Sequence, residues 1–251
     1  MLLKLLDHPV ISARYFFPRR SPVPDAGRWE VDVGDAVLHC WRHEAGAPRC
    51  FVHFHGNGEV VNDYRTDYAV AMVAMGLDVV LVEYRGYGGS TGVPQMGSML
   101  SDVSAVIDAL GRPASELVIY GRSVGSIYAI EAARRYPDIA ALVLESGVAA
   151  PHQRLAMRMR ASELNATEEQ LREAADKYLD HRTKLAAYTG PLLVMHAKDD
   201  EIIPIEHAVL NHAWGGGDRK KLVLFDRGGH NAILHTNWQG ILDELRDFVV
   251  R

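Results

Sequence analysis

The stretch Leu117–Gly125 reads Leu-Val-Ile-Tyr-Gly-Arg-Ser-Val-Gly, a short apolar run that leads directly into a serine flanked by glycines. The apolar run predicts a strand, and the apolar periodicity from Ser126 to about Tyr136 predicts a helix that ends before Pro137. A sharp turn between strand and helix strains the central residue, Ser123, and requires glycine two positions away on each side, where backbones come close together. Ser123 is therefore a candidate nucleophile.

A nucleophilic serine needs a base and an acid that orients the base. On this kind of turn the acid and then the histidine follow the serine along the chain. The buried run Pro191–Met195 leads into a loop that contains Asp200, and the apolar run Leu222–Phe225 leads into a loop that contains His230. Neutral imidazole accepts a proton near pH 7, so His230 is the candidate base and Asp200 the candidate acid.

Three other carboxylates are candidates for the acid, namely Asp199, Asp226 and Glu145. Asp199 is the strongest of them, because neighbouring side chains point in different directions and the sequence does not show which one faces inward. We expect Asp200.

Negative charge on an attacked carbonyl oxygen must be met by backbone N–H donors fixed in advance. Val124 follows Ser123 at the start of the predicted helix, where unpaired N–H groups favour negative charge. The strand predicted at Cys50–Phe54 opens into His-Gly-Asn-Gly, so a second donor is expected in that turn. We expect the Asn57 N–H, with Gly58 as the alternative.

The rest of the chain predicts an α/β fold that starts with an antiparallel hairpin. Arg28–Val33 and Ala36–Trp41 alternate in polarity around a Gly-Asp turn. Later runs are short and mostly apolar, as in parallel strands buried on both faces, and helical segments separate most of them. These runs are Cys50–Phe54, Asp78–Glu83, Leu117–Tyr120, Ala140–Leu144, Pro191–Met195 and Lys221–Phe225.

One region, from Pro151 to about Tyr188, has no strand signal and interrupts this rhythm. Thr167 and Gln170 form a capping-box pair, and one apolar stripe follows them. We expect a helical lid in residues 151–188, although a longer crossover packed on the sheet would give the same pattern. The stripe is Leu171, Ala174, Ala175, Tyr178 and Leu179.

Composition limits the class of protein. The chain has 251 residues, 48% of them hydrophobic, which suffices for a single domain over residues 1–251 without disulfides or metals. A net charge of −5 with scattered Lys and Arg argues against nucleic-acid binding. The cysteines, Cys40 and Cys50, fall in different predicted strands, which favours a reducing cytoplasm.

The first six residues are apolar apart from Lys4, but Asp7 and His8 end the run too early for a signal peptide or a membrane span. We expect a short docking helix and no integral membrane segment. A peripheral membrane contact is the alternative. It would use Leu2, Leu3, Leu5, Leu6, Phe16 and Phe17.

Four motifs together resemble the α/β-hydrolase superfamily, in its lipase-like and serine aminopeptidase-like branch. They are the turn His55–Gly58, the segment Glu83–Gly92, the serine turn, and the loops of Asp200 and His230. The resemblance implies a mostly parallel sheet with helices on both faces and hydrolysis of a carbonyl compound through an acyl-enzyme, with no cofactor. The glycines of Glu83–Gly92 predict backbone bends, because their spacing misses the dinucleotide fingerprint.

A metal site is not expected, although His53 and His55 could share a face of their strand. A binuclear metal loop would continue with an acid and a histidine, but Asn57 and Gly58 stand there. We expect His53, His55, His196 and His235 to have structural roles.

The leading hypothesis is a serine hydrolase that cleaves a carboxylic ester or thioester of a small-molecule acyl substrate. A peptidase or amidase using the same mechanism is the alternative. A non-catalytic receptor or scaffold with this fold is a third hypothesis, although none of the expected site residues is missing. The sequence does not define the oligomeric state.

Overall fold

Among residues 2–250, which the computed structural model describes, eight strands form one sheet in the order β1-β2-β4-β3-β5-β6-β7-β8. The two end residues of the predicted domain 1–251 lie outside the described chain. The strands are β1 (Arg28–Asp32), β2 (Val37–His43), β3 (Cys50–Phe54), β4 (Asp78–Val82), β5 (Leu117–Arg122), β6 (Ala141–Glu145), β7 (Leu192–Ala197) and β8 (Lys220–Phe225).

The pairing of the strands confirms the predicted fold class. β1 and β2 form the antiparallel hairpin, and β2 pairs antiparallel with β4. All other neighbouring strands are parallel. Parallel strands direct their carboxyl ends to one edge of the sheet, so the loops that follow them meet there.

Helices cover both faces of the sheet. They are α1 (Leu2–Leu6), α2 (Pro9–Tyr15), α3 (Asp67–Ala74), α4 (Met96–Ala109), α5 (Gly125–Arg135), α6 (Pro151–Ala156), α7 (Glu168–Tyr178), α8 (His181–Ala187), α9 (Glu206–Trp214), α10 (Ile233–Thr236) and α11 (Trp238–Leu245). Short 3-10 turns lie at Val61–Asp63, Ala114–Glu116 and Ala161–Leu164, and a π-helical segment at Arg246–Val250.

Two apolar cores lie on opposite sides of the sheet, and successive residues of β3 show the alternation. Val52 and Phe54 belong to the core under α4, α5 and α8, whereas Phe51 belongs to the core under α3 and α11. All five residues of β3 are buried, as the unbroken apolar run predicts for a central parallel strand.

The N-terminal segment packs on the protein, as expected for a docking helix. α1 contacts α4 and α7, and Leu6 and Phe16 are buried. Phe17 is 53% exposed. Within residues 2–250, no helix combines the length and the apolar character needed to cross a membrane.

Residues 151–188 are helical, with α6, α7 and α8 separated by short turns. The predicted capping box is present, since the Gln170 N–H donates to the Thr167 hydroxyl (3.1 Å) and the Thr167 N–H donates to the Gln170 side chain (2.9 Å). α7 packs against α1, and α8 packs against α5 and α9. Most of this region is therefore fixed on the body of the protein.

Two buried histidines have structural roles that make the fold sensitive to acid. The His53 ring lies among the rings of Tyr64, Tyr68 and Tyr120, with centroids 4.4, 5.3 and 5.0 Å away. Burial, helped by the charges of nearby groups, holds the pKa of His53 well below its ordinary value. Burial likewise lowers the pKa of His181 to about 3.

We predict that the free energy of unfolding decreases as the pH falls below about 6.5. Unfolded histidines take up a proton there, while His53 and His181 stay neutral in the fold, so the unfolded state binds more protons. The free energy of unfolding is measured with urea at pH values near 6.5 and 5.5. Between these two values it should decrease by about 1 kcal/mol less in His53→Phe than in the wild type. His235→Phe, at an exposed histidine, is the control, and equal losses in wild type and His53→Phe would contradict the prediction.

Candidate functional site

The predicted site residues lie in loops at the carboxyl edge of the parallel strands. Asn57 follows β3, Ser123 follows β5, Asp200 follows β7 and His230 follows β8. Segments that are far apart in sequence thus meet because their strands are parallel and close together in the sheet.

Ser123 has the strained backbone that the sequence predicts. Its φ is 51°, in the left-handed region, and its N–H donates to the Glu145 carbonyl oxygen at 2.9 Å. A Cβ at Gly121 would come within 2.7 Å of the Gly125 carbonyl oxygen, and a Cβ at Gly125 would overlap the carbonyl oxygen of Phe54. Both glycines are required because α5 starts directly against β3 and β5.

Ser123, His230 and Asp200 form one hydrogen-bonded chain. Ser123 Oγ lies 2.9 Å from His230 Nε2, and His230 Nδ1 lies 2.8 Å from Asp200 Oδ2. The three residues are 7%, 4% and 8% exposed.

The charge of Asp200 determines which atoms donate and which accept in these two hydrogen bonds. Burial acts to raise the pKa of Asp200, but hydrogen bonds from His230 and from the N–H groups of Ile203 and Ile202 outweigh burial and lower it. The carboxylate is thus ionised and only accepts, so His230 Nδ1 carries the proton. In the neutral ring Nε2 is then free to accept the proton of the Ser123 hydroxyl.

The rival carboxylates are engaged elsewhere. Asp199 accepts from the N–H groups of Gly229 (2.8 Å) and Gly228 (3.4 Å). Asp226 pairs with Lys198 at 2.6 Å, and Glu145 contacts Arg122 and Tyr120. The structure therefore brings Asp200, and not the other three, to the His230 ring.

Val124 and Asn57 line the same pocket as Ser123, which has a volume of about 260 Å³. The Asn57 side chain is held firmly, since its Oδ1 accepts from the Phe17 N–H (2.9 Å) and the Tyr87 hydroxyl (2.8 Å). Within residues 2–250, the lining of this pocket includes Asn57 but not Gly58.

Of the other histidines, His196 reaches this chain, because its Nε2 lies 3.3 Å from Asp200 Oδ2. His55 bonds Glu83 and the Gly56 carbonyl oxygen, each at 2.7 Å, and Glu83 also accepts from the Val61 N–H. His196 Nε2 donates to the Ile203 carbonyl oxygen at 2.8 Å, and His235 is exposed. Among residues 2–250, no group of three or more His, Cys, Asp or Glu side chains could hold a metal ion.

Some residues of the site were not found by sequence reasoning. Arg122 occupies the variable position before Ser123, and its guanidinium donates to the His230 carbonyl oxygen at 2.8 Å. Tyr15 and Phe17, from the N-terminal segment, line the pocket together with Arg154 and Arg158 of the inserted region. The only signal in the sequence is the spacing of four residues between Arg154 and Arg158, which would place both side chains on one face of a helix.

Comparison with known proteins agrees with this architecture. The chain is 29% identical to the α/β-hydrolase domain-containing protein aho-3 of Caenorhabditis elegans over 176 residues, which are 68% of this chain but only 48% of that protein. It is 27% identical to the uncharacterized protein Rv2307c of Mycobacterium tuberculosis, covering 93% of this chain and 85% of that one.

Solved structures share the fold. The Pyrococcus furiosus esterase Pf2001 superposes with a TM-score of 0.72 at 17% identity, covering 93% of this chain and 98% of the esterase. The family model described as serine aminopeptidase, S33, matches residues 47–175, just over half of the chain. The protein is thus an α/β-hydrolase and belongs to the serine aminopeptidase S33 family.

Proposed function

We propose that the protein is a serine hydrolase that cleaves a carboxylic ester or thioester of a small-molecule acyl substrate. The observation that carries the proposal is the hydrogen-bonded chain from Ser123 through His230 to Asp200, with distances of 2.9 and 2.8 Å. These are the distances of a nucleophile, a base and an orienting acid already in contact.

In the first step Ser123 Oγ bonds to the carbonyl carbon of the substrate, and its proton moves to His230 Nε2. Asp200, ionised and bonded to Nδ1, stabilises the imidazolium. The N–H groups of Val124 and Asn57 are proposed to bind the oxyanion. When the tetrahedral intermediate collapses, the bond to the leaving alkoxide or thiolate breaks and His230 protonates that group.

Hydrolysis of the acyl-enzyme reverses these roles. A water molecule gives one proton to His230 Nε2 and bonds to the acyl carbon. The bond between the acyl carbon and Ser123 Oγ then breaks, and the proton returns from His230 to the serine. The products are a carboxylic acid and free enzyme, so no cofactor or redox partner takes part.

A peptidase or amidase acting on short peptides is the second candidate. The observation that favours it is the family model, whose description is serine aminopeptidase. Peptide cleavage needs the same chain of residues, with the amine leaving after protonation by His230. A comparison of ester, thioester and peptide substrates separates the two candidates.

We further propose that residues 151–188 act as the lid of a single domain. α6 supports this role, because it and the following turn place Arg154 and Arg158 on the wall of the Ser123 pocket. α7 and α8 are packed on the body of the protein. Within the proposed lid, α6 and the turn after it would therefore cover the pocket, and α7 and α8 would hold the lid on the body of the protein.

A reducing cytoplasm is the proposed location. Cys40 and Cys50 are both free and buried, and burial raises the pKa of each thiol to about 12. Such thiols do not form the disulfides of secreted proteins. The net charge of −5 gives no support for nucleic-acid binding.

Arg122 is proposed to position His230. Its side chain is 5% exposed and lies against Glu145 Oε1 (3.1 Å) and Glu59, while it donates to the His230 carbonyl oxygen. One guanidinium thus connects the loop of His230 to a carboxylate at the end of β6 and to another in the loop after β3. Removing it would leave two buried or half-buried carboxylates without their cation.

We predict that Ser123→Ala abolishes turnover without loss of folding. A fluorophosphonate probe should label wild-type Ser123 and leave the variant unlabelled. A panel of ester, thioester and peptide substrates, run with both proteins, identifies the class cleaved. Cleavage of peptides only would favour the second candidate, and a folded wild type that neither reacts with the probe nor cleaves any substrate would overturn the serine mechanism.

We predict that Asp200→Asn lowers kcat by roughly 10⁴-fold, because the amide favours the wrong tautomer of His230. Asp199→Asn is the matched control one residue away. Its amide oxygen can still accept from the Gly229 N–H, the shorter of the two bonds of Asp199, so the change should be less than about tenfold. A larger loss in Asp199→Asn than in Asp200→Asn would show that the acid is misassigned.

We predict that Arg122→Met lowers the free energy of unfolding by about 3–5 kcal/mol, measured by urea unfolding. Where this variant is folded, kcat should fall more than KM rises, since Arg122 holds the His230 loop and its own charge is balanced by Glu59 and Glu145. Arg42→Met, at the exposed Arg42–Glu44 pair, should cost less than about 1 kcal/mol. An undiminished kcat in folded Arg122→Met would rule out the positioning role.

A further inference from the structure

The pocket beside Ser123 is cationic in an anionic protein. The chain carries a net charge of −5, yet three arginines line this pocket, and among residues 2–250 no aspartate or glutamate lines it. They are Arg122, Arg154 and Arg158. The charge of Arg122 is balanced by Glu59 and Glu145.

Arg154 and Arg158 have no carboxylate within ion-pair distance in the described chain, residues 2–250. The acid near this segment, Glu163, is already paired with Arg14 at 2.7 Å. An arginine without a counter-ion on the surface is ordinary, but two of them on one pocket wall produce a positive potential inside it. That potential favours a ligand group of opposite charge.

Arg158 is fixed in place. Its guanidinium carbon lies 5.6 Å from the centre of the Tyr15 ring and 5.5 Å from that of Phe17, and its Nη1 donates to the Arg14 carbonyl oxygen at 2.9 Å. These contacts hold the planar group while most of its five N–H donors stay available. A guanidinium held in this way can bind a carboxylate or a phosphate through two parallel hydrogen bonds.

Arg154 lies one helical turn before Arg158 and is half-buried. Both act on the same neighbouring group, because burial raises the pKa of Tyr15 to about 12 while the charges of Arg158 and Arg154 oppose that rise. Arg154 and Arg158 thus place two positive charges on the wall of one pocket, with the Arg158 guanidinium next to the ring of Tyr15.

We infer that the site takes acyl compounds that carry a second, anionic oxyacid group, a carboxylate or a phosphate, which Arg154 and Arg158 bind while the reacting carbonyl lies at Ser123. The inference rests on the proposed hydrolase function and adds its substrate class. The pocket of about 260 Å³ limits this to a short connection between the two groups. The arginines contribute to binding and hence to KM, because the anionic group is present equally in substrate and transition state.

Two matched substrate pairs test the inference, each consisting of an anionic compound and its neutral counterpart. The carboxylate pair is mono-p-nitrophenyl glutarate and its methyl ester. The phosphate pair is S-acetyl-2-mercaptoethyl phosphate and S-acetyl-2-mercaptoethanol, in which two carbon atoms connect the thioester to the phosphate or hydroxyl. In the wild type, kcat/KM for the charged member of at least one pair should exceed that for the neutral member about tenfold, through KM, and the pair that responds identifies the group.

The ratio to follow is kcat/KM for the charged member of a pair divided by kcat/KM for the neutral member. The double variant Arg154→Met, Arg158→Met should bring this ratio close to one. Arg172→Met removes an equal charge from the exposed face of α7, outside the pocket, and should leave the ratio at its wild-type value. The single variant Arg154→Met, at the less engaged arginine, should lower the ratio in the same direction if the double variant does not fold.

Binding to Ser123→Ala protein, measured by calorimetry, separates this inference from the hydrolase proposal. Tighter binding of the charged member supports the inference even where the wild type cleaves nothing. A ratio near one in the wild type for both pairs, with no preference in binding, overturns it, and cleavage of the neutral members would then leave the hydrolase proposal intact. Sedimentation with anionic lipid vesicles together with a ratio near one would assign the arginines to a lipid surface and also overturn it.

Discussion

The site depends on one backbone constraint, the left-handed turn at Ser123. A φ of 51° is unfavourable for a side chain, and it is held because the Ser123 N–H bonds the Glu145 carbonyl oxygen while the Ser123 carbonyl oxygen accepts from Ser126. The close approach of Gly121 and Gly125 to their neighbours leaves no room for relaxation. The position of the Ser123 hydroxyl is therefore fixed. The other groups of the site can act on it only if their own loops bring them to that position.

A buried network of charge under the turn brings the other loops to it. Arg122 stands at the end of β5, Glu145 at the end of β6, Glu59 in the loop after β3, and His230 in the loop after β8. One guanidinium contacts all three partners, so four strand ends are joined at one point. Such a network is costly to desolvate and is stable only when complete. We take its benefit to be the fixed position of His230.

The sequence predicted the parts of this arrangement that depend on local pattern and chain order. Ser123 follows from a strand, two glycines and a helix, and His230 from its place after the last strand. The choice between Asp200 and Asp199 does not follow, because both carboxylates serve the His230 loop, one at the ring and one at the N–H groups of Gly228 and Gly229. Arg122 was missed because its partners are distant in sequence and its position tolerates many residues.

The residues that line the pocket come from two different parts of the fold. Asn57, Ser123, Val124 and His230 come from strand ends, whose positions the sheet determines, whereas Tyr15, Phe17, Arg154 and Arg158 come from segments that precede or interrupt the sheet. No strand periodicity governs these segments, so their contacts could not be derived from the sequence. We therefore propose that the sheet determines the type of reaction and that α2, α6 and the turns after them determine the choice of substrate. These segments can change without disturbing the hydrogen bonds that join Ser123, His230 and Asp200.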